Sequence, residues 1–243
     1  MGSRDRSFRL GAEVLFLLMV QTIQAQEISL ADLESRFQLQ RAESPDFFHE
    51  WQGVLPELTD WQKQLLDQIK SGYFNLLQQP PLLEKPINLA VVSPLLFTGQ
   101  FYVSPFNLRA EKNVEISATD ESGQVIVKGN LDTLVLKDQL WVMVIESKQA
   151  NFSVEAGLAQ LLAYMLDHPN PTGACFGLIT NGGSFLFVKL VKGPISQLST
   201  PQYATSDLFG INNQKNNLDD VLKILKHLIG LTIGEEAGEG RQE

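Results

Sequence analysis

The sequence predicts an α/β fold of the α+β kind: a central mixed sheet flanked by helices, preceded by an N-terminal helical extension. Three observations predict it. Between Asn113 and Val191, apolar runs of strand length alternate with turn residues. One run, Leu140 to Ser147, is apolar on both faces, which marks a strand buried in the middle of a sheet. Stretches of helical spacing lie before, within and after that strand region.

The elements follow in order. Leu30, Leu33, Phe37 and Leu39 sit near helical spacing, with Ser29 as N-cap. A second helix starts at about Thr59, with Trp61, Leu65, Leu66, Ile69 and Phe74 as its apolar face, and Pro80-Pro81 closes the region. Ile87 to Leu96 reads as either a short buried helix or a strand. Strands are predicted over Val114–Ala118, Gln124–Leu136 and Leu140–Ser147, with Gly129 as a bulge and turns at Asp120–Gly123 and Lys137–Gln139. Phe152 to Leu166 is a helix. Ala174–Thr180 and Phe185–Val191 form a hairpin around Asn181-Gly182-Gly183, and a closing helix spans Leu218 to Ile229. The organisation expected is a leader over 1–26, disordered or an upstream-extended start with Met19 as the natural first residue; a helical extension over 27–79; the main domain over 80–230; and a disordered, glycine-rich polar tail over 231–243.

Composition narrows the function classes. The 243 residues are 44% hydrophobic and 19% charged, enough for a real core, and no apolar run is long enough to span a bilayer. Cys175 is the only cysteine, so no intrachain disulfide forms, and a reducing, cytoplasmic setting is expected. His49, His168 and His227 are far apart, show no zinc spacing and read as ordinary surface or loop residues. The net charge of -9 argues against a non-specific nucleic-acid coat. It leaves room for a centre where carboxylates hold a metal ion that supplies the positive charge. There is no glycine-rich phosphate loop of the GxxxxGK[ST] kind.

The chemistry gathers on one predicted hairpin. The strand LWVMVIESK places Leu140, Val142 and Val144 on one face and Trp141, Met143 and Ile145 on the other, yet ends in Glu146 and Lys148, which leave the same face. Asp132 sits in the similarly apolar strand before it. Counting back from the turn puts Asp132 within a residue or two of Glu146. Two carboxylates that close repel unless something positive lies between them. A divalent ion with a preference for hard oxygen suits the gap, Mg2+ or in its place Mn2+. Lys148 can then hold a water or stabilise charge on phosphate oxygens, which is equipment for attack of water on a phosphodiester. A solvated ion pair at a strand end is the competing reading, but charges on an otherwise buried hairpin cost free energy unless a function retains them. On the helix that follows, Gln160 and Tyr164 are four apart and share a face.

Asp132, then Glu146-x-Lys148, then Gln160-xxx-Tyr164 resembles the PD-(D/E)xK nuclease superfamily. The order running from VVSPLLFTGQF through GNLDTLVL and VIESKQA to the Gln-Tyr helix is similar to the N-terminal nuclease region of type I restriction enzyme R subunits and their stand-alone relatives. That resemblance implies a restriction-endonuclease-like sheet and a magnesium-dependent endonuclease acting on DNA. Asp132 and Glu146 would bind the metal and Lys148 would assist the attacking water. Gln160 and Tyr164 would steady the substrate or the site. The family often draws a glutamate from an earlier helix, for which Glu84 is the best positional match and Glu111 a second candidate. With no P-loop and no room for motor domains, ATP-driven translocation does not carry over. Partner restriction or assembly subunits are the further expectation. The alternative function is a nuclease-like module that no longer cuts and binds nucleic acid or a partner protein.

Overall fold

The computed structural model describes residues 20–120, 123–137, 140–169, 173–193, 200–211 and 217–239. Most of the expected leader, the tips of the two predicted turns and the last four residues of the expected tail therefore lie outside the described residues.

The strand-period segments assemble into one mixed sheet. Its strands are β1 (Val20–Gln24), β2 (Gln40–Arg41), β3 (Phe106–Asp120), β4 (Gly123–Lys137), β5 (Leu140–Ser147), β6 (Ala174–Thr180), β7 (Ser184–Val191) and β8 (Gln202–Gly210). Their order is β1-β4-β5-β6-β7-β8-β2, with β3 paired to β4 off that path. β5 runs parallel to β6 because the helical crossover between them returns the chain in the same direction. The tight connections between β3 and β4, β4 and β5, and β6 and β7 give antiparallel pairs. The helices are α1 (Leu30–Phe37), α2 (Asp60–Leu77), α3 (Glu84–Ile87), α4 (Ser93–Thr98), α5 (Leu158–Leu166) and α6 (Asn217–Glu239).

The sheet is covered on both faces, as the two-sided apolar pattern of β5 requires. One face carries Val135, Met143 and Ile145 against Leu66 and Ile69 of α2, Leu95 and Leu96 of α4, and Leu222 and Leu225 of α6. The other carries Leu134 and Val144 against Leu33 of α1 and Leu161, Leu162 and Met165 of α5. Strict alternation along β5 fails at one point: Trp141 packs with Val144, not with Met143. A register shift against Val135/Leu136 accounts for it, since an extra residue on one strand reverses the faces beyond it.

Several local expectations are corrected. The segment from Ile28 to Leu77 is not helical throughout: Gln38 turns into the left-handed region to end α1, and β2 and short 3-10 turns follow before α2. The expected leader and the expected N-terminal extension both contribute to the one sheet, the first through β1 against β4 and the second through β2 against β8. Both predicted caps form, Ser29 and Thr59 each closing a capping box. On α2 the buried face is offset from the predicted one: Gln62, Leu66, Ile69 and Tyr73 are inside, while Trp61 and Phe74 are exposed. Gln62 tolerates burial because its amide donates to the Thr98 carbonyl at 3.1 Å. The ambiguous Ile87–Leu96 stretch is helical, α3 and α4 being joined by a π-helical turn over Asn88–Val92. Pro94 explains the turn: it has no N–H to give the Ala90 carbonyl and its ring crowds that oxygen. The closing helix continues to Glu239, past the predicted end at Ile229, because elongation adds a hydrogen bond per residue once a helix is nucleated.

His168 is also not a surface residue. It is 2% exposed, and neither ring nitrogen has a hydrogen-bond partner. Burial, and then the Lys192 ammonium, push its pKa from the ordinary 6.5 down to about 3. The unfolded chain therefore takes up a proton that the folded state refuses, so this contribution is whole above pH 6.5 and is lost as pH falls toward 3. At about 1.4 kcal/mol per pH unit, roughly 2 kcal/mol should vanish between pH 6.5 and 5. Urea unfolding at both pH values should show that loss in the wild type and not in His168→Phe. An equal fall in both proteins would remove His168 as the cause.

Candidate active site

The site begins at a fork in the sheet. β3 pairs with β4 along its whole length, from Phe106↔Lys137 to Asp120↔Gly123. The other edge of β4 is shared by two strands: β1 takes Gln124 to Lys128, and β5 takes Thr133 to Lys137. Gly129 to Asp132 lie between them, where neither strand pairs. A cavity of about 710 Å³ opens over this gap, lined by residues that include Gln24, Glu84, Asn130, Asp132, Glu146 and Lys148.

β5 delivers Glu146 to this gap on the face that Val144 shares, toward α5. The last rung of the β4–β5 ladder is Thr133↔Ile145, so the next residues, Asp132 and Glu146, stand opposite each other, within the residue or two that the count back from the turn allows. Glu146 is 3% exposed. Its Oε1 accepts from Lys148 Nζ at 2.8 Å and from Gln160 Nε2 at 2.7 Å. Lys148 Nζ also donates to Gln160 Oε1 at 2.7 Å. Gln160 Nε2 donates in addition to the Tyr164 hydroxyl at 2.8 Å, and that hydroxyl donates to the Asn130 carbonyl at 3.0 Å. The four side chains singled out as Glu146, Lys148, Gln160 and Tyr164 thus form one network, whose far end is tied to β4.

Asp132 is held separately. Its Oδ2 accepts from the Ser147 backbone N–H at 2.8 Å and from the Ser147 hydroxyl at 2.5 Å. Successive N–H groups of a strand point to opposite sides. Lys148 N–H goes to Thr180 of β6, so Ser147 N–H faces β4, where the carboxylate of Asp132 accepts it. Sequence reasoning did not single out Ser147, which a period of two puts on the face away from Glu146. It gave no signal at all for Asn88, whose Nδ2 donates to the Ser147 hydroxyl at 2.8 Å.

The two candidate outer glutamates part company. Glu84, at the start of α3, lines the cavity, and its charge bears on Glu146. Glu111 stands opposite Asp132 in the β3–β4 register, between Ala110↔Thr133 and Lys112↔Leu131. Its backbone turns to φ +52 and its side chain is exposed, away from the cavity-lining set.

Charge is the unsettled quantity of this site. Burial first, and then the neighbouring Asp132 carboxylate, raise the Glu146 pKa to about 8, while Lys148 pulls the other way. Glu146 Oε2 is buried with no hydrogen-bond partner. An orphaned carboxylate oxygen beside a second carboxylate is what a divalent ion would satisfy. Among the described residues no group of three or more His, Cys, Asp or Glu is placed to hold a metal. Mg2+ keeps several waters and takes as few as one or two carboxylates. Asp132 and Glu146 fit that donor set.

Gly129 is not a bulge: it pairs in register with Val114. A Cβ there would lie 2.7 Å from Ala25 Cβ and 2.7 Å from the Tyr164 hydroxyl. Glycine therefore lets β1, β4 and α5 meet at the cavity wall.

No family model matches the chain, and no curated protein matches it. Among solved structures the chain is similar to a fragment assigned as an HsdR subunit of a type I restriction enzyme from Vibrio vulnificus, at 19% identity and a TM-score of 0.33. The alignment covers 44% of this chain and 21% of that one, so the match spans about a fifth of the neighbour's length. Among the described residues no helix is long and apolar enough to cross a membrane.

Gly129→Ala should displace Tyr164 or Ala25 and lower stability by about 1–3 kcal/mol, read as a fall in the urea midpoint. An unchanged midpoint would mean that the wall yields without cost.

Proposed function

We propose that this chain is a divalent-metal-dependent nuclease that hydrolyses DNA phosphodiester bonds, with Asp132, Glu146 and Lys148 at its centre. The observation that carries the reading is the unpartnered Oε2 of Glu146, buried next to Asp132 at the end of an otherwise apolar strand. Such an oxygen costs free energy in the folded protein, and a bound cation would recover it. The order of Asp132, Glu146-x-Lys148 and Gln160-xxx-Tyr164 along the chain supports the same reading.

Asp132 and Glu146 would hold Mg2+ or Mn2+, which when bound polarises a phosphate and lowers the pKa of water. Lys148 has three N–H donors, of which two go to Glu146 and Gln160. The third is left for a phosphate oxygen or an incoming water. Because the ammonium is anchored on two sides, it needs little reorganisation as charge builds on the phosphate. Gln160 fixes both partners at once, donating to Glu146 and accepting from Lys148. Tyr164 holds Gln160 against β4, which places this network at a set distance from the cavity wall. Glu84 at the rim adds negative charge that favours cation capture.

The test is incubation of the purified protein with plasmid and with single-stranded DNA, in Mg2+, Mn2+ and chelator, beside Glu146→Gln and Lys148→Ala. Cleavage should require metal and fall at least about a hundredfold in each variant. Retained metal-dependent cleavage in Lys148→Ala would sink the site assignment. A folded wild type that binds nucleic acid or a partner protein yet cleaves nothing under any condition would replace this reading with a non-cutting module.

A further inference from the structure

We propose that Ser147 and Asn88 are positioning residues for Asp132, a relay of neutral donors that sets which carboxylate oxygen the cavity receives. The inference rests on the metal-dependent reading of the same site. It starts from where the side chains lie. Ser147 follows Glu146 on β5 and leaves the opposite face of the sheet, where Ile145 packs with the α2, α4 and α6 side. It is fully buried. Asn88 approaches from that far side, on the π-helical turn between α3 and α4. Neither residue lines the cavity. They reach it only through Asp132, which bends around the end of the β4–β5 ladder.

The direction of each bond is fixed by donor counting. The Asn88 amide donates to the Ser147 oxygen at 2.8 Å, which turns the single hydroxyl proton away. That proton goes to Asp132 Oδ2 at 2.5 Å, beside the Ser147 N–H at 2.8 Å. Two donors commit Oδ2 to the protein and leave Oδ1 to serve an ion. The chemistry differs from that around Glu146, whose Oε1 is met by a cation. Ser147 and Asn88 carry no charge, so they orient Asp132 without cancelling the negative charge that would attract a metal. A lysine in their place would hold the carboxylate as firmly and compete with the ion. The π-turn has a matching consequence. Its extra residue changes which side chain the helix presents at that level of the sheet, and Asn88 is its first residue.

Ser147→Ala removes the hydroxyl and keeps the backbone N–H bond. Asn88→Ala lies outside the cavity on a half-buried helical position where alanine is well tolerated. The double variant closes the cycle. The first readout is Mn2+ binding to the free protein, by electron paramagnetic resonance and calorimetry, without substrate. Groups that orient a metal ligand contribute roughly 10- to 100-fold to affinity. Ser147→Ala should weaken Mn2+ binding within that range, Asn88→Ala less, and the double variant no more than Ser147→Ala alone, because Asn88 acts through Ser147. In cleavage assays the variants should need more Mn2+ while approaching the wild-type rate at saturation, with urea midpoints read alongside. Unchanged Mn2+ affinity in both single variants, against a wild type that binds, overturns the inference and leaves the proposed function standing. Independent, additive losses overturn the relay. A wild type that binds no Mn2+ overturns the proposed function and this inference together.

Discussion

The fork on the edge of β4 is the constraint on which the rest of the site depends. A fifteen-residue strand with one continuous partner, β3, has two partners in succession on its other edge. A parallel strand and an antiparallel one cannot both continue into the same stretch of ladder. β1 stops at Gln24 and β5 runs out past Ile145, and the backbone between them is left without an inter-strand partner on that side. Backbone groups in such a gap must face water, side chains or a ligand. Here a side chain from β4 itself, Asp132, satisfies an N–H of β5, and a hydroxyl from α5, Tyr164, satisfies a carbonyl of β4. The cavity is therefore a consequence of sheet topology, and the polar residues around it do the work that ladder hydrogen bonds do elsewhere.

That arrangement explains how charged groups persist in so apolar a neighbourhood. Breaking a buried ion pair by removing one partner is costly, yet the pair itself adds little to stability. Glu146 and Lys148 are 3% and 8% exposed and would be poor choices for a protein selected only to fold. Gln160 reduces the penalty by serving both, but one oxygen of Glu146 is still unserved. Lys148 and Lys128, which line the cavity, are paired with Glu146 and Glu115, so under the proposed function a bound metal ion would supply most of the positive charge for a phosphate in this acidic chain.

Much of this was legible in the sequence, and the limits have physical causes. The hairpin of β4 and β5 could be placed from alternation and turn residues, and counting from the turn put Asp132 within a residue or two of Glu146. The bulge opposite Val135 and Leu136 shifted that count by one, bringing Glu146 rather than Ile145 opposite Asp132, and it moved Trp141 to the other face, which a fixed period of two could not foresee. Gln160 and Tyr164 were visible because helical spacing puts residues four apart on one face. Ser147 was hidden by the same rule that exposed Glu146, since the period of two assigns neighbours to opposite faces and takes no account of a carboxylate reaching around a strand end. Asn88 was hidden because its contact spans fifty-nine positions and its helix contains a π-turn that breaks the 3.6 period. Gly129 and His168 were misjudged for a related reason. Each owes its position to a distant element, α5 and β1 for the one and the interior behind Lys192 for the other.

β1 shows most clearly why local reading stops short. From sequence its residues belong to a leader, with exposed side chains and no marked apolar alternation. In the fold they pair with Gln124 to Lys128 and so define where the fork opens. A strand can earn its place through main-chain hydrogen bonds alone, and main-chain bonds leave little trace in side-chain composition. Ala25 then follows directly into the contact with Gly129, where only two small residues let Tyr164 approach. The position of Tyr164 fixes Gln160, and Gln160 fixes Glu146 and Lys148. A segment that reads as a leader thus helps set the geometry of the charged centre, through a chain of contacts that begins in backbone pairing and ends at a carboxylate.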